Sequence, residues 1–248
     1  MNFQANRALM KSNFRMLREV KTDQELKRTQ PPLEKPYPPD APLVALPPVD
    51  GAVGSQKGMY SCLKQRRSVR KYTDAPLTLE ELSYLLWATQ GVQRIFGKNY
   101  ATFRPVPSGG ARHPFETYLV INRVTGLADG VYRYLPLNHQ LLLMFHVDNC
   151  PKIMAGLALN QPFVGESAAV FIWSCLPYRG EWRYHMAAHK TMLLDAGHLC
   201  QNLYLACESI DCGTCAIGAY DQEGLDQFLQ LDGVEEFVVY LAPVGRQR

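Results

Sequence analysis

The clearest helical periodicity lies between Thr78 and Gln90, where Leu79, Leu82, Leu85, Leu86 and Trp87 recur along one face. Thr78-Leu79-Glu80-Glu81 just before it has the pattern of a capping box, in which Thr78 caps the first turn and Glu81 reaches back. Glu116 to Asn122 (ETYLVIN) reads as a strand, and Val131–Tyr134 with Gln140–Val147 reads as a hairpin turning at Pro136-Leu137-Asn138. A helix is predicted over Asn149 to Leu159, then a buried strand over Ala168 to Trp173. The longest helical run spans Tyr184 to Ser209, with Met192, Leu193, Leu199, Leu203 and Leu205 among its apolar positions. A short apolar segment from Thr214 to Tyr220, a helix over Asp221–Leu231 and a strand over Glu236–Leu241 complete the chain. Helices and strands mix without a clean βαβ alternation, so the predicted class is α+β.

The N-terminal part is patterned differently. Ala8, Leu9, Phe14 and Leu17 suggest an amphipathic helix within residues 4–22. Eight prolines then fall between Pro31 and Pro48, which excludes regular helix and predicts an extended arm. Tyr37, Leu43, Val44 and Leu46 between the prolines imply that the arm lies against a surface, here expected to be a partner subunit. Residues 1–50 are therefore read as helix plus arm, and residues 51–248 as the main domain, compact from about Met59. The chain shows no internal repeat.

Length and composition narrow the function. The chain has 248 residues, enough for a sizeable core. A net charge of +3 gives no general reason to bind nucleic acid or a membrane. No stretch reaches the roughly 18 consecutive apolar residues of a membrane span, and Met1 to Phe14 carries no apolar signal core, so a cytoplasmic location is expected. Seven cysteines, an odd number, fit reduced thiols better than a disulfide framework.

Four clusters carry candidate chemistry. Arg66-Arg67-Ser68-Val69-Arg70 offers fork-shaped cationic donors and a hydroxyl, suited to a phosphate; a solvated basic turn is the plain alternative. Pro107-Ser108-Gly109-Gly110 lets backbone amides approach a ligand closely, or is simply a loop. Leu194-Asp195-Ala196-Gly197-His198 places a glycine inside a helix, which implies close packing there. Gly213 to Asp221 is small and apolar, suited to backbone donors beside a planar ring. Cys212-Gly-Thr-Cys215 has C-x-x-C spacing but no clear preceding strand and no second pair, so a dithiol or metal role is disfavoured. His185 and His189 lack the intervening Glu of H-E-x-x-H, and no metal site is expected. No G-x-S-x-G, Walker A or G-x-G-x-x-G motif supports a hydrolase, P-loop or Rossmann site.

Taken in order, R-R-S-V-R-K-Y, L-T-L-E-E-L-S-Y-L-L-W-A-T-Q-G, P-S-G-G-A-R-H-P-F-E, L-L-D-A-G-H-L-C-Q-N-L-Y-L-A and G-T-C-A-I-G-A-Y-D resemble the nitroreductase superfamily, and within it the SagB-type dehydrogenases. The resemblance covers about Met59 to Gly245. It implies a nitroreductase-like fold with a central, mainly antiparallel sheet flanked by helices. It also implies an intertwined homodimer with two flavin mononucleotide (FMN) sites at the interface. By position, Arg66, Arg67, Ser68 and Arg70 are implied to hold the phosphate and the pyrimidine side of the flavin, with Arg246 helping. Pro107, Ser108 and Gly109 are implied to come from the other subunit, and Ile217 and Gly218 to offer backbone groups near the ring.

In the azoline-oxidising branch of that family a Lys-Tyr pair precedes the long helix; here the sequence is Trp182-Arg183-Tyr184. Arginine stays protonated and is a poor general base. His185, Met186, Ala187 and His189 also depart from that branch's Gly-Glu-Arg-x-Tyr pattern. The departure argues against azoline oxidation and leaves a general flavin oxidoreductase. Its hydride would pass to or from a small-molecule or peptide-derived substrate, with NAD(P)H as a candidate electron donor. Tyr184 is the candidate proton donor or acceptor, and Arg183 the candidate orienting group. The competing reading is a catalytically reduced flavin-fold subunit that binds within a biosynthetic complex.

Overall fold

The computed structural model describes residues 3–55 and 57–248; the expected N-terminal segment is therefore described from Phe3 onward, and Met1, Asn2 and Gln56 lie outside the described residues. The single N-terminal helix expected over residues 4–22 is instead α1 (Phe3–Leu9) followed by a 3-10 turn at Phe14–Arg18. Ser12 and Asn13 lie between them, residue types whose side chains compete for backbone hydrogen bonds. The proline-rich stretch runs extended and contributes β1 (Leu43–Ala45). Next come α2 (Met59–Gln65) and α3 (Leu79–Gln90). The capping box forms as read: Glu81 N–H donates to Thr78 Oγ1 at 3.2 Å, and Thr78 N–H to Glu81 Oε2 at 2.9 Å.

A small hairpin, β2 (Arg94–Phe96) and β3 (Ala101–Phe103), was not legible in the pattern. The following elements match their predicted positions to within a few residues: β4 (Phe115–Ile121), β5 (Gly130–Leu135), β6 (Gln140–Phe145) and α4 (Cys150–Leu157). A single turn, α5 (Pro162–Gly165), leads into β7 (Ala169–Cys175). The predicted long helix is α7 (Ala188–Ser209), starting four residues later than expected; an unpredicted helix, α6 (Tyr178–Tyr184), precedes it across a 3-10 turn where His185 takes φ 46°, ψ −139°. The chain ends with β8 (Cys212–Thr214), α8 (Gln222–Phe228) and β9 (Phe237–Arg246), the last running beyond the expected Leu241.

Seven strands form one sheet in the order β1-β6-β5-β4-β7-β9-β8, and neighbouring strands are antiparallel throughout. Side chains alternate across β4 and β7. Phe115, Leu119, Ile121, Phe171 and Trp173 face a core shared with α3 and α7, through Leu82, Leu85, Leu199 and Leu203. Tyr118, Val120, Val170 and Ile172 face a second core with Met154 of α4 and Leu225 of α8. Covering both faces explains why β7 reads as an apolar run and why β4 is buried throughout, Glu116 and Thr117 included; each fully buried leucine contributes roughly 2 kcal/mol. The architecture is thus α+β with a central antiparallel sheet between helical layers, as expected.

The arm makes contacts with its own chain. Lys35 N–H donates to Glu116 Oε1 at 3.0 Å, Arg133 Nη2 to the carbonyls of Lys35 and Pro36 at 2.9 and 3.2 Å, and Leu137 N–H to Glu34 Oε2 at 3.0 Å. These half-buried polar contacts hold a segment whose prolines supply few donors of their own. β1 then pairs with β6 at the sheet edge.

Candidate functional site

The candidate residues collect at the two ends of α7. At the C-terminal end, Arg66 follows α2, and its guanidinium lies 5.1 Å from the centre of the Tyr204 ring. Tyr204 Oη accepts the Ala216 N–H at 2.8 Å and sits 3.0 Å from Ser68 Oγ. Ser68 also bridges to Thr214, where Val69 N–H donates to the Thr214 carbonyl at 2.9 Å. Gly213 makes this approach possible: a Cβ there would lie 2.5 Å from Val69 Cβ. Tyr204 therefore joins the arginine cluster to the Gly213–Asp221 segment. Leu203-Tyr204-Leu205 reads as core in the sequence, which is why it gave no functional signal.

The predicted phosphate and ring ligands divide here. Arg70 is exposed, 6.0 Å from the Phe163 ring, and neither Arg66 nor Arg70 donates a side-chain hydrogen bond among the described residues. Gly218 is exposed, with nothing within 4 Å of where a Cβ would stand. Arg67 turns away: its Nη1 donates to the carbonyls of Lys64, Gln65 and Arg66 at 3.0, 3.2 and 2.8 Å, closing the end of α2. Both main-chain groups of Ile217 are engaged by Leu241, at 2.8 and 3.3 Å. Arg246 donates to the Ile210 carbonyl at 2.8 Å and ion-pairs with Glu81.

At the N-terminal end of α7, Ser108 Oγ donates to Asp195 Oδ2 at 2.7 Å and Gly109 N–H to the same oxygen at 3.0 Å. His113 N–H donates to Ser108 Oγ at 3.0 Å, while Pro107 stays exposed. Burial raises the Asp195 carboxyl above its ordinary value, and the Ser108 and Gly109 donors oppose the shift. Gly110 takes φ +61°, and a Cβ there would stand 2.5 Å from Tyr184 Oη and 2.7 Å from Arg183 Nε. The loop thus seats directly on the candidate catalytic pair. Arg183 Nε donates to Tyr184 Oη at 3.2 Å and its Nη1 to Tyr100 Oη at 2.6 Å; Tyr100 Oη also accepts from Gln24 at 2.8 Å. Phe14 packs edge-on against the Tyr184 ring, with centroids 5.5 Å apart. Tyr100 went unread because it follows the unpredicted hairpin turn.

One chain does not bring these two sets together. Along α7, at 1.5 Å per residue, Tyr204 lies about 24 Å beyond Ala188 at the helix start and about 14 Å beyond Asp195, which anchors Ser108 and Gly109. Between Ala188 and Tyr204, Leu193 and Leu194 are 60% and 55% exposed. Gly197 has nothing within 4 Å of a notional Cβ. The close packing expected at Gly197 is therefore not supplied by its own chain. Met59, Tyr60 and Leu63 add an exposed apolar face on α2, which contacts α7.

Cys212 and Cys215 are both free and buried. Burial pushes the Cys212 thiol up to about 12, which keeps it protonated and a poor nucleophile. His189 pairs with Glu181 at 2.7 Å, and no cluster of three or more metal-ligating side chains occurs among the described residues. No helix among the described residues is long and apolar enough to cross a membrane.

Comparison with known proteins agrees with this architecture. The profile described as "Nitroreductase family" matches residues 63–246. A protein of Methanocaldococcus jannaschii assigned as a nitroreductase, MJ1384, is 34% identical over 185 residues, spanning 75% of this chain and 89% of the relative. The trifolitoxin-processing protein TfxB of Rhizobium leguminosarum bv. trifolii is 33% identical over 107 residues, 42% of this chain but only 29% of TfxB. A solved nitroreductase-type structure from Anabaena variabilis superposes with a TM-score of 0.71 at 24% identity, over 87% of this chain and 43% of that one. The chain thus spans less than half the length of two of these three proteins.

Proposed function

The chain belongs to the nitroreductase family, and from that premise we propose that it is an FMN-dependent oxidoreductase acting as a homodimer, with each site assembled from opposite ends of two α7 helices. The observation that carries this reading is the pair of unengaged guanidiniums, Arg66 and Arg70, beside Ser68 and the open Gly218. Such a set fits a phosphate dianion next to a planar ring. Arg246 joins it by exchanging Glu81 for phosphate. Arg67 and the main chain of Ile217 support the cradle from behind, since their donors face the protein. Pro107, Ser108 and Gly109 of a second copy cover the ring. The exposed Leu193, Leu194 and Gly197 face supplies the contact that brings the second copy there.

Bound flavin supplies hydride transfer, with NAD(P)H as the proposed electron donor and a small organic or peptide-derived molecule as the substrate. The chain's own groups handle protons and orientation. Tyr184 Oη accepts from Arg183 Nε, so its own proton points elsewhere and is available to a substrate atom. Arg183 remains cationic and orients a carbonyl or acidic group.

The direct test is the absorbance spectrum of protein purified without added cofactor, followed by analysis of what heat releases. Flavin bands and free FMN are expected, and Tyr204→Phe is expected to weaken FMN binding about tenfold through loss of the Ser68 link. A colourless protein that takes up no added FMN overturns the proposal. One observation favours a second reading, a flavin-fold binding subunit of a biosynthetic complex. Phe14 covers Tyr184, and the gap between Gly109, Tyr184 and Met192 is only about 10 Å³. FMN-bound protein that neither accepts electrons from NAD(P)H nor passes them on would select that reading.

A further inference from the structure

Beside the N-terminal end of α7, two cavities share Tyr178, Glu181 and His189 in their walls. The first, about 380 Å³, is walled by Phe115, Cys175, Met192, Phe237 and Val239 and is mostly apolar. The second, about 350 Å³, is bounded by Asp23, Arg28, His185 and Met186. A small-molecule site needs this combination of a ring-sized apolar chamber and a few convergent polar groups.

The charge on the walls selects the ligand. Three carboxylates, Asp23, Glu181 and Glu235, line the two chambers against one guanidinium, Arg28. Arg28 is already held 3.1 Å from Asp23, and His189 Nε2 lies 2.7 Å from Glu181 Oε1. The Glu235 side chain stands at the mouth, exposed and without a hydrogen-bond or ion-pair partner among the described residues. At the floor, burial pushes the Cys175 thiol up to about 12; Arg179 opposes this, and Glu181, Asp195 and Glu236 add to it. An apolar chamber ringed by excess negative charge repels carboxylates and attracts cations.

We propose that this cleft binds small molecules that join an apolar ring to an amino cation, with the ring beside Phe237 and Val239 and the ammonium at Glu235 and Glu181. The chamber uses none of the residues proposed to hold the flavin, but its wall includes Leu193, on the α7 face proposed above for self-association, so the cleft borders the subunit contact.

Titration calorimetry of the full chain with tryptamine and with indole-3-propionate tests this, since both carry the same ring with opposite charge. Tryptamine is expected to bind, and indole-3-propionate about tenfold more weakly or not at all. Glu235→Gln should bring the two affinities close together. Val239→Trp should fill the chamber and abolish tryptamine binding. Should Val239→Trp fail to fold, the Glu235→Gln comparison decides alone. Equal affinity of the native chain for both probes, binding of neither, or undiminished binding in a folded Val239→Trp variant overturns the proposal. FMN content is measured in parallel, so loss of flavin with tryptamine binding intact counts against the proposed enzyme only.

Discussion

At the N-terminal end of α7, Ser108, Gly109, Arg183 and Asp195 all have partners within the chain, and the loop carrying Ser108 and Gly109 is wedged against Tyr184. At the C-terminal end, Arg66 and Arg70 hold only ring contacts, and Gly218 lies open. A group already hydrogen-bonded in the free protein is fixed in position and changes little when a ligand arrives. An exposed, unengaged guanidinium is flexible and hydrated, and gives up little to accept a phosphate. The difference separates an end that shapes a site from an end that grips a charge.

The largest expected effect breaks the comparison at its middle. Gly197→Trp places an indole on the open face of α7 and should weaken self-association by roughly a hundredfold, with the monomer still folded. Analytical ultracentrifugation reads this, and an unchanged dimer would show that the two ends meet through another surface. Next, Gly110→Ala combines a positive φ with contacts to Tyr184 and Arg183, and should cost about 3 kcal/mol. Thermal melts should fall by roughly 6–12 °C; a fall of only a degree or two would mean that the loop yields.

Acid sharpens the contrast. His113, on the same closed loop, is pushed down to about 2, chiefly by burial and also by Arg104. Its folded value lies below the unfolded one, so its contribution is fully present above about pH 6.5 and is lost as pH falls toward the folded value. Chemical denaturation should show up to about 1.4 kcal/mol lost per pH unit below 6.5. His113→Asn should flatten that slope, while the arginine end should show no such dependence. The smallest effect separates neighbours. Arg66→Ala should lower FMN affinity about tenfold with little change in stability, whereas Arg67→Ala should cost about 1 kcal/mol of stability and leave FMN affinity nearly unchanged. Reversed results would exchange the roles assigned to the two residues.

Elements specified by local chemistry were legible. The α3 capping box lies within four residues, and β4 and β7 are buried on both faces, so each announces itself. The break between α6 and α7 was not legible. It rests on His185 with a positive φ, at a site with neither Gly nor Pro, next to the predicted start of the long helix at Tyr184. β1 was hidden because its three residues sit among prolines and are ordered by pairing with β6, a long-range contact. In the site, residue types suited to phosphate were visible, but their engagement was not. The sequence treats Arg66 and Arg67 alike, and only the end of α2 decides which one faces inward. Tyr204 and Tyr100 act through partners far along the chain, which no local pattern encodes.

The distance between the two ends of α7 carries a genetic consequence. When each site draws its charge-gripping half from one copy and its shaping half from the other, a lesion at Arg66 and a lesion at Gly110 damage different contributions. Co-expressed, the two defective polypeptides can form mixed pairs in which one site inherits both lesions and the other inherits neither. Two inactive alleles would then restore activity together, whereas two alleles altered at the same end would not.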